Sequence, residues 1–335
     1  MILKNYRSIR GVHCASNALT EIHNYYNPDN EITESIVFGL GEGISFNYAP
    51  LNQQRPRVLN FRNPFLENIF LNKTNINLKW RYSKELPINN LKKYLDQQIP
   101  ILLHTDTRYL PFLNFSDPST LGNVGAHTVV LIGYNNDTYY VSDYISSDIL
   151  EISKDELIMA TSQTKPPFFK KNLWMPVGRF QINDLETKII DSILMNSQYM
   201  LNYNPYTGIN SINKLMTEIL YWPKFPYWKE VAFNVYMAIE KVGSGGGGFR
   251  YLYADFLQEV MKIHPEVQNE KFISDLRQIA KSYSKIAKLF FRVYRKGDID
   301  LLKQIKIQLF ELKKNEKNFW LSLEKVTKNR FHILS

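Results

Sequence analysis

The sequence predicts an α+β domain over residues 1–178, followed by an all-α domain over residues 179–335. Three observations support this prediction. A chain of 335 residues is long enough to form two hydrophobic cores. The first half begins with a helical pattern and ends with its clearest strand pair, an order that is typical of α+β domains. Beyond about residue 181 the strand patterns stop, and helical periodicity continues to about residue 329.

The elements of the first half alternate between helical and strand-like patterns. Helical patterns cover residues 15–25, 31–38, 64–71 and 89–97. Strand-like runs cover residues 44–48, 58–62, 76–82 and 99–104. Two further β-rich runs, 126–134 and 138–144, flank a short Asn/Asp turn and predict a β-hairpin. The proline-containing stretch 164–176 is the expected linker between the two domains.

The charge of the chain limits its partners. Its net charge is +9, and residues 181–335 hold 23 basic against 16 acidic residues, a balance of +7. Such positive potential favours nucleic acid, anionic lipid or an acidic protein as the partner. The amino terminus lacks the pattern of a signal peptide, and no run is long enough for a transmembrane helix. With one cysteine and no intrachain disulfide, we expect a cytosolic protein; a homo-oligomer is compatible with the sequence.

Cys14 is the only cysteine in the chain, and it precedes a predicted helix. Ala15, Ala18, Leu19 and Ile22 recur at the spacing of one buried helical face. A cysteine in the first turn meets unpaired backbone N–H groups and the positive end of the helix dipole, and both favour thiolate over thiol. Cys14 is therefore a candidate nucleophile, although a lone cysteine is more often a small buried apolar residue.

A thiolate nucleophile needs a base, and the base needs a group that orients it. His127 opens the first strand of the predicted hairpin, and Asp143 lies near the end of the second. Across a tight turn the two positions fall nearly opposite each other, where Cβ atoms are roughly 4.5–5.5 Å apart. Viewed singly, each residue is more often structural, as a capping or core histidine or as a strand-end carboxylate. Together with Cys14 they predict a catalytic triad of nucleophile, base and orienting carboxylate.

A metal site is the other chemistry open to these residues. Cys14, His13, His127 and Asp143 could together bind a metal ion. No spacing among them resembles that of a structural zinc site, so the sequence predicts no metal. The remaining histidines have no comparable pattern of partners, and they are assigned no role.

Several segments resemble a known family. Residues 11–19 around Cys14, residues 37–48 and residues 125–130 around His127 are similar to the amino-terminal domain of the butirosin-biosynthesis H acyltransferases. Residues 249–257 resemble the helical domain that accompanies it. The resemblance implies a fold like that of C39-type, papain-like cysteine peptidases, with the cysteine-bearing helix packed on an antiparallel sheet. It also implies transfer of an acyl group from the thioester of an acyl or peptidyl carrier protein onto a small amine, forming an amide.

The resemblance also assigns roles and partners. It makes Cys14 the acyl-accepting nucleophile, His127 the general base and Asp143 its orienting group. The implied setting is the biosynthesis of a specialised metabolite such as an antibiotic. It implies no cofactor held by the chain, because the phosphopantetheine arrives on the carrier protein. C39-type peptidases carry an oxyanion-binding glutamine about six residues before the cysteine, whereas residues 6–10 here contain none. The N–H of Cys14 remains as donor, with the His13 side chain as a weaker candidate, and a thioester asks less of an oxyanion hole than an amide does.

Two glycine-rich segments are candidates for substrate contact. Residues 39–43 lack the Lys-Ser/Thr ending of a phosphate loop, and the carboxylate there could meet an acceptor amine or simply lie exposed in a turn. Residues 243–248 are predicted as a flexible hinge or as a loop near the pocket. The predicted substrate-binding residues are His13, Gly41, Glu42, Gly43, Phe249 and Arg250.

The helical half carries one strongly basic face. Residues 271–335 hold 16 basic and 6 acidic residues, a balance of +10. The predicted carrier-docking residues, which share one stripe of a helix, are Lys281, Lys285, Lys288, Arg292 and Arg295. A solvated face is an equally good interpretation of this stripe. The functional interpretation is a surface whose charge accelerates encounter with an acidic carrier protein, and nucleic acid is disfavoured because no motif for it accompanies the charge.

The sequence therefore predicts a cytosolic cysteine acyltransferase that forms an amide through a Cys14 acyl-enzyme. Two alternatives stay open. One is a peptidase or amidase that uses the same triad, and the missing glutamine disfavours it. The other is a non-catalytic module whose helical domain binds a carrier protein.

Overall fold

The chain forms two compact units in the computed structural model. Residues 1–52, 58–74, 78–113, 127–163, 170–263 and 270–334 are described. Unit 1 consists of Met1–Val37 and Thr74–Ile182, and unit 2 consists of Phe38–Lys73 and Asn183–Ser335. The chain thus leaves unit 1 after Val37, within its second helix, contributes one segment to unit 2, and returns to complete unit 1.

The helices and strands follow the predicted alternation. In chain order they are α1 (Cys14–Tyr26), α2 (Glu34–Leu40), β1 (Ile44–Tyr48), β2 (Leu59–Arg62), α3 (Leu66–Lys73), α4 (Ile88–Asp96), β3 (Ile101–Thr105), β4 (His127–Asn135), β5 (Thr138–Ser142), β6 (Leu150–Ser153), α5 (Lys154–Thr161), β7 (Trp174–Pro176), α6 (Leu185–Leu201), α7 (Gly208–Glu218), α8 (Trp228–Glu240), α9 (Arg250–Ile263), α10 (Glu270–Lys296) and α11 (Ile299–Leu334). Within the described ranges, no helix is both long enough and apolar enough to span a membrane.

Unit 1 is built on a five-stranded antiparallel sheet in the order β6-β5-β4-β3-β7. The central strand β4 is buried from His127 to Gly133, because its continuous apolar run is covered on both faces. Helix α1 packs against β4 and is itself buried on nearly all sides. The predicted α+β fold, with the cysteine-bearing helix against an antiparallel sheet, is confirmed.

Strands β4 and β5 form the predicted hairpin, but a bulge shifts their register by one residue. As a result Val130 pairs with Ser142, and one further step of the same register places Asp143 opposite Val129. His127 is therefore the diagonal neighbour of Asp143 on the same face, not its direct partner as predicted. Diagonal Cβ atoms are roughly 7–8 Å apart, a gap that an imidazole and a carboxylate can close between them.

Unit 2 joins a small sheet to the helices of the second half. Strands β1 and β2 pair antiparallel. Asn196 on α6 donates to the Ile44 carbonyl at 2.8 Å and accepts the Ile44 N–H at 3.4 Å. Ser211 on α7 donates to the Phe46 carbonyl at 3.0 Å. These bonds satisfy backbone groups of β1 that a two-stranded sheet leaves unpaired, so the hairpin is fixed to the helices.

This placement of residues 38–73 differs from the predicted division at residue 178. The sequence assigned the segment to the first domain, because its strand-like runs resemble those of the first half. In the structure it belongs to unit 2, since its strand β1 hydrogen-bonds to α6 and α7. From Asn183 onward the described regular elements are helices, as predicted, but unit 2 as a whole is not all-α, because it also contains β1 and β2.

Two shorter predictions in unit 1 are also corrected. The expected linker 164–176 contains β7, which is the edge strand paired with β3; residues 164–169 lie outside the described residues. Proline is tolerated there because an edge strand has one row of unpaired N–H positions. The predicted strand at 76–82 is reduced to an isolated bridge between Arg81 and Trp174, and residues 75–77 lie outside the described residues.

Candidate active site

Cys14 is the first residue of α1, and it is partly exposed. His13 caps the helix, because its Nδ1 accepts the Ser16 N–H at 3.3 Å. Glu34 accepts the main-chain N–H groups of Val12 at 2.8 Å and of His13 at 2.7 Å. A carboxylate at this end of a helix is also favoured by the helix dipole. The backbone next to the nucleophile is therefore held by a side chain from α2.

Gly11 allows this close approach. A Cβ at Gly11 would lie 2.7 Å from Glu34 Oε2 and 2.2 Å from Asn17 Oδ1, nearer than non-bonded atoms pack. The Gly11 N–H donates to the Tyr144 carbonyl at 2.8 Å, which ties this loop to the residues after β5. A larger residue at position 11 would push Glu34 away from the helix terminus.

His127 and Asp143 form a buried pair beside the thiol. Their exposed fractions are 6 % and 2 %, and His127 Nε2 is hydrogen-bonded to Asp143 Oδ2. The other oxygen of Asp143 accepts the Ile145 N–H at 3.2 Å, which fixes the carboxylate. Cys14 lies near enough to the imidazole to affect its pKa. Because Nε2 is taken by Asp143, Nδ1 is the nitrogen available to the sulfur.

The protonation of His127 is decided by these two neighbours. Burial lowers the pKa of His127, because it penalises the charged ring. Asp143, through its charge and its hydrogen bond, and Cys14 outweigh burial and raise this pKa from 6.5 to about 10. His127 is therefore an imidazolium at neutral pH. The three predicted residues are thus brought together, with the carboxylate of Asp143 bound to the imidazole.

Tyr144 adds a hydroxyl to these surroundings. Its ring centre lies 5.6 Å from that of His127, and the two rings are tilted by 59°. Burial raises the pKa of Tyr144, and the charges of Cys14, Asp143 and Glu34 raise it further, so the hydroxyl keeps its proton. Within the described segments, the hydroxyl has no hydrogen-bond partner.

Glu21, farther along α1, holds the segment that leads to the nucleophile. Its carboxyl accepts the Ile9 N–H at 2.7 Å, the Tyr6 hydroxyl at 3.0 Å and the Asn17 amide at 3.1 Å. Burial raises the pKa of Glu21 to about 7, although these hydrogen bonds act in the opposite direction. The buried carboxyl therefore fixes the path of the chain over α1, well before Cys14.

The predicted glycine loop lies in unit 2, whereas the triad lies in unit 1. Glu42 has a positive φ of 51°, and its carboxylate is already paired with Lys73 at 3.0 Å. A Cβ at Gly41 would lie 2.7 Å from the Leu66 side chain, so packing explains the glycine there. Contact of Gly41, Glu42 and Gly43 with a substrate stays a prediction. His13 differs from them, because its ring serves as a helix cap.

Arg250, predicted to bind substrate, is a buried structural residue. It is 0 % exposed, and its Nε and Nη2 donate to Glu316 Oε1 at 2.9 and 2.5 Å. Its Nη1 donates to the carbonyls of Ser45 at 3.0 Å and Gly248 at 2.7 Å. With no exposed surface, the guanidinium has no access to a substrate. Its charge neutralises a carboxylate inside unit 2.

The glycine run before Arg250 is packed, which corrects its prediction as a flexible hinge. Gly245, Gly246, Gly247 and Gly248 all have positive φ, a conformation that glycine adopts without strain. A Cβ at Gly247 would lie 2.7 Å from the Cβ of Ala280. Phe249 is 5 % exposed and stacks on another buried ring at 5.3 Å, so it too belongs to the core of unit 2.

The predicted docking residues share one exposed face of α10. The opposite face, which includes Leu276, Tyr283 and Phe290, is buried. Within the described part of the chain, no ion pair neutralises the five exposed cations, Lys281, Lys285, Lys288, Arg292 and Arg295. Their positive charge is thus available to a partner, and docking there stays a prediction.

Three residues of the site were missed by sequence reasoning. Glu34 and Glu21 carry no local signal, because each acts on backbone groups 12 or more residues away. Tyr144 had one signal, its position next to Asp143 in the predicted strand. Only the fold shows that its ring turns toward His127.

The site defines a class of protein. A partly exposed cysteine at a helix start, an imidazolium on the adjacent strand and a carboxylate that orients it are the parts of a cysteine-dependent enzyme of the acyl-transfer or peptidase type. Among the described residues, no group of three or more His, Cys, Asp or Glu side chains is placed to hold a metal ion.

Comparison with known proteins gives the family. The chain belongs to the family described as "Domain of unknown function (DUF4872)", whose model matches residues 155–323. The model described as "Butirosin biosynthesis protein H, N-terminal" matches residues 13–144, which contain the triad, so the resemblance to the butirosin-biosynthesis H family is confirmed. No curated protein matches the chain. A crystal structure described as a C39-like peptidase from Bacillus anthracis is 17% identical and covers 54% of this chain and 98% of its own, with a TM-score of 0.36.

Proposed function

We propose that the protein is an acyltransferase, which moves an acyl or aminoacyl group from a carrier-protein thioester through Cys14 to an amine. The observation that carries the proposal is the imidazolium of His127 beside Cys14, with Asp143 bound to the imidazole. The match of residues 13–144 to a domain of a butirosin biosynthesis protein supports a role in specialised metabolism. The missing oxyanion glutamine favours an activated thioester over an amide as the substrate.

The first half-reaction follows from this geometry. The Cys14 thiolate forms a bond to the thioester carbonyl carbon, and the carbonyl electron pair moves to the oxygen. Collapse of this tetrahedral oxyanion re-forms the carbonyl and breaks the bond to the pantetheine sulfur. The imidazolium of His127 gives its proton to the departing pantetheine thiolate. The products are a Cys14 thioester and a neutral His127.

The second half-reaction uses the same groups in reverse. The acceptor amine attacks the acyl-enzyme carbonyl, and neutral His127 removes a proton from the amine nitrogen. Collapse forms the amide and expels the Cys14 thiolate. His127 is again an imidazolium, which Asp143 stabilises. No cofactor on the chain is needed, because phosphopantetheine enters with the carrier protein.

The test is intact-mass analysis after mixing the protein with acyl-loaded carrier proteins. The wild type should gain the mass of one acyl group, and the adduct should transfer to an added amine. Cys14→Ala should gain nothing. An adduct that only hydrolyses, whatever amine is offered, would identify a thioesterase or peptidase. Binding of the carrier with no adduct would identify a non-catalytic module, and either result overturns the proposal.

We propose further that the exposed cations of α10 receive the acidic carrier protein. Reversing the charge of Lys281, Lys285 and Lys288 should slow acylation by the carrier ~10-fold at low salt, because the opposed charges steer the encounter. The loss should shrink as salt rises. Reversal of three exposed lysines on α11, Lys306, Lys314 and Lys317, is the matched control. Equal losses in both variants would show that net charge alone acts.

A further inference from the structure

The backbone of the site provides one hydrogen-bond donor for an oxyanion, and a second donor has to be identified. Attack by Cys14 creates an oxyanion, and such sites usually offer it more than one preorganised donor. Glu34 occupies the N–H groups of Val12 and His13. The N–H of Cys14 is the neighbouring amide for which the described residues supply no acceptor. Backbone alone therefore supplies one donor at the nucleophile, and a side chain has to supply the second.

His13, the side chain that the sequence suggested for this purpose, is directed to the helix. Its Nδ1 lies 3.0 Å from Ser16 Oγ and accepts the Ser16 N–H. The ring is buried, with 5 % of its surface exposed. The Nδ1 nitrogen therefore accepts a hydrogen bond from the helix terminus and offers no proton to an oxyanion.

Tyr144 is the side chain that the fold brings to the nucleophile with a donor to spare. Its ring contacts the His127 ring at 5.6 Å, and its carbonyl is tied at 2.8 Å to Gly11, three residues before the cysteine. Its hydroxyl is close enough to Cys14, Asp143 and Glu34 to feel their charges. That hydroxyl has no partner among the described residues, so its proton is available to an incoming oxygen.

We propose that the Tyr144 hydroxyl, together with the Cys14 N–H, binds the oxyanion formed when Cys14 attacks a carbonyl. The proposal rests on the proposed function for its natural substrate, but it applies to any carbonyl that the thiolate attacks. The hydroxyl donates a hydrogen bond and transfers no proton. As the carbon–sulfur bond forms and the oxygen gains charge, that hydrogen bond strengthens, which lowers the barrier to acylation.

The experiment compares two reagents on the same sulfur. p-Nitrophenyl acetate acylates Cys14 through a tetrahedral oxyanion and releases p-nitrophenolate. Iodoacetamide alkylates Cys14 by displacement at carbon and forms no oxyanion. We expect Tyr144→Phe to slow acylation about 100-fold, the usual effect of losing one oxyanion donor. Alkylation should keep the wild-type rate, because His127 beside the sulfur is unchanged.

Two control variants make the comparison specific. Tyr25→Phe removes a tyrosine hydroxyl that donates to the Gln98 carbonyl at 3.1 Å, and it should change neither rate. Ser8→Ala removes a buried hydroxyl that has no hydrogen-bond partner in the described part of the chain and precedes Cys14 by six residues. If Ser8→Ala slows acylation and Tyr144→Phe does not, Ser8 is the donor and the proposal is wrong.

Further outcomes also overturn it. Tyr144→Phe could slow both reagents equally, which would mean that Tyr144 supports the position of His127 or the fold. A wild type that is alkylated by iodoacetamide but not acylated by p-nitrophenyl acetate would lack an oxyanion hole. Failure of carrier proteins to acylate the wild type is a separate result. It would overturn the proposed acyltransferase while the ester still tests Tyr144.

Discussion

Each unit buries an acid–base pair, and the two pairs differ in what lies beside them. In unit 2 each nitrogen of Arg250 donates to a carboxylate or a carbonyl, and Glu316 also accepts the Tyr283 hydroxyl at 2.5 Å. In unit 1 the pair of His127 and Asp143 ends at a partly exposed sulfur. The first pair has no group left for a ligand, so it holds the fold. The second presents a charged ring to a nucleophile, so it is available for chemistry.

The largest expected effect comes from removing the carboxylate charge of the His127–Asp143 pair. Asp143→Asn keeps the size of the side chain but lowers the pKa of His127 below about 10, since the carboxylate charge raised it. We expect kcat for acyl transfer to fall about 10⁴-fold, because the ring also loses its orienting acceptor. Steady-state kinetics would measure this, with Asp137→Asn in the exposed hairpin turn as the matched control. A wild-type kcat would show that the carboxylate does not orient the base.

Breaking the Arg250–Glu316 pair should lower the stability of the fold. Arg250→Met leaves the carboxylate of Glu316 buried and uncompensated, so the free energy of unfolding should fall by about 3–5 kcal/mol. Arg277→Met removes an exposed pair with Asp255 and should change it by about 0–1 kcal/mol. Urea unfolding measures both. If the two variants are equally stable, the buried pair does not hold unit 2 together.

The pH dependence of stability should report the protonation of His127. The pKa of His127 rises from 6.5 to about 10 in the folded protein, so folding favours the protonated ring. Its contribution is complete below pH 6.5 and is lost as the pH rises through about 10. The free energy of unfolding, measured by urea unfolding, should fall across that interval in the wild type. The fall should be smaller in His127→Asn, and equal falls would show that the ring is not held as an imidazolium.

The smallest expected effect concerns the support of the nucleophile. Glu34→Gln keeps one oxygen that can accept an N–H but loses the charge that the helix terminus favours. We expect the free energy of unfolding to fall by about 1 kcal/mol. Glu31→Gln on the exposed surface nearby is the control and should have a smaller effect. If the two variants lose the same free energy of unfolding, Glu34 does not support the backbone next to Cys14.

Local patterns in the sequence predicted much of the fold. The spacing of Ala15, Ala18 and Ile22 predicted α1, and the β-rich runs around a short turn predicted the hairpin. Those two elements hold Cys14 and His127, so the triad could be predicted before any contact was known. The bulge could not be predicted, because it depends on how β4 meets the chain beside it. The register at the turn would place Asp143 opposite Val130, on the other face from His127, and the bulge moves Asp143 opposite Val129, on the same face as His127.

The sequence by itself determined which chemistry is present, since one cysteine, a histidine at a strand start and an acid at its partner's end are local facts. The tertiary structure decided which charged residues serve it. It buried Arg250 against Glu316, moved residues 38–73 into the helical unit, and turned Glu34 and Tyr144 toward Cys14. The physical reason is that the two kinds of information act over different distances along the chain. Hydrophobic periodicity indicates the helix or strand to which a residue belongs, whereas the burial and pairing of a charged residue depend on side chains that are distant in the sequence.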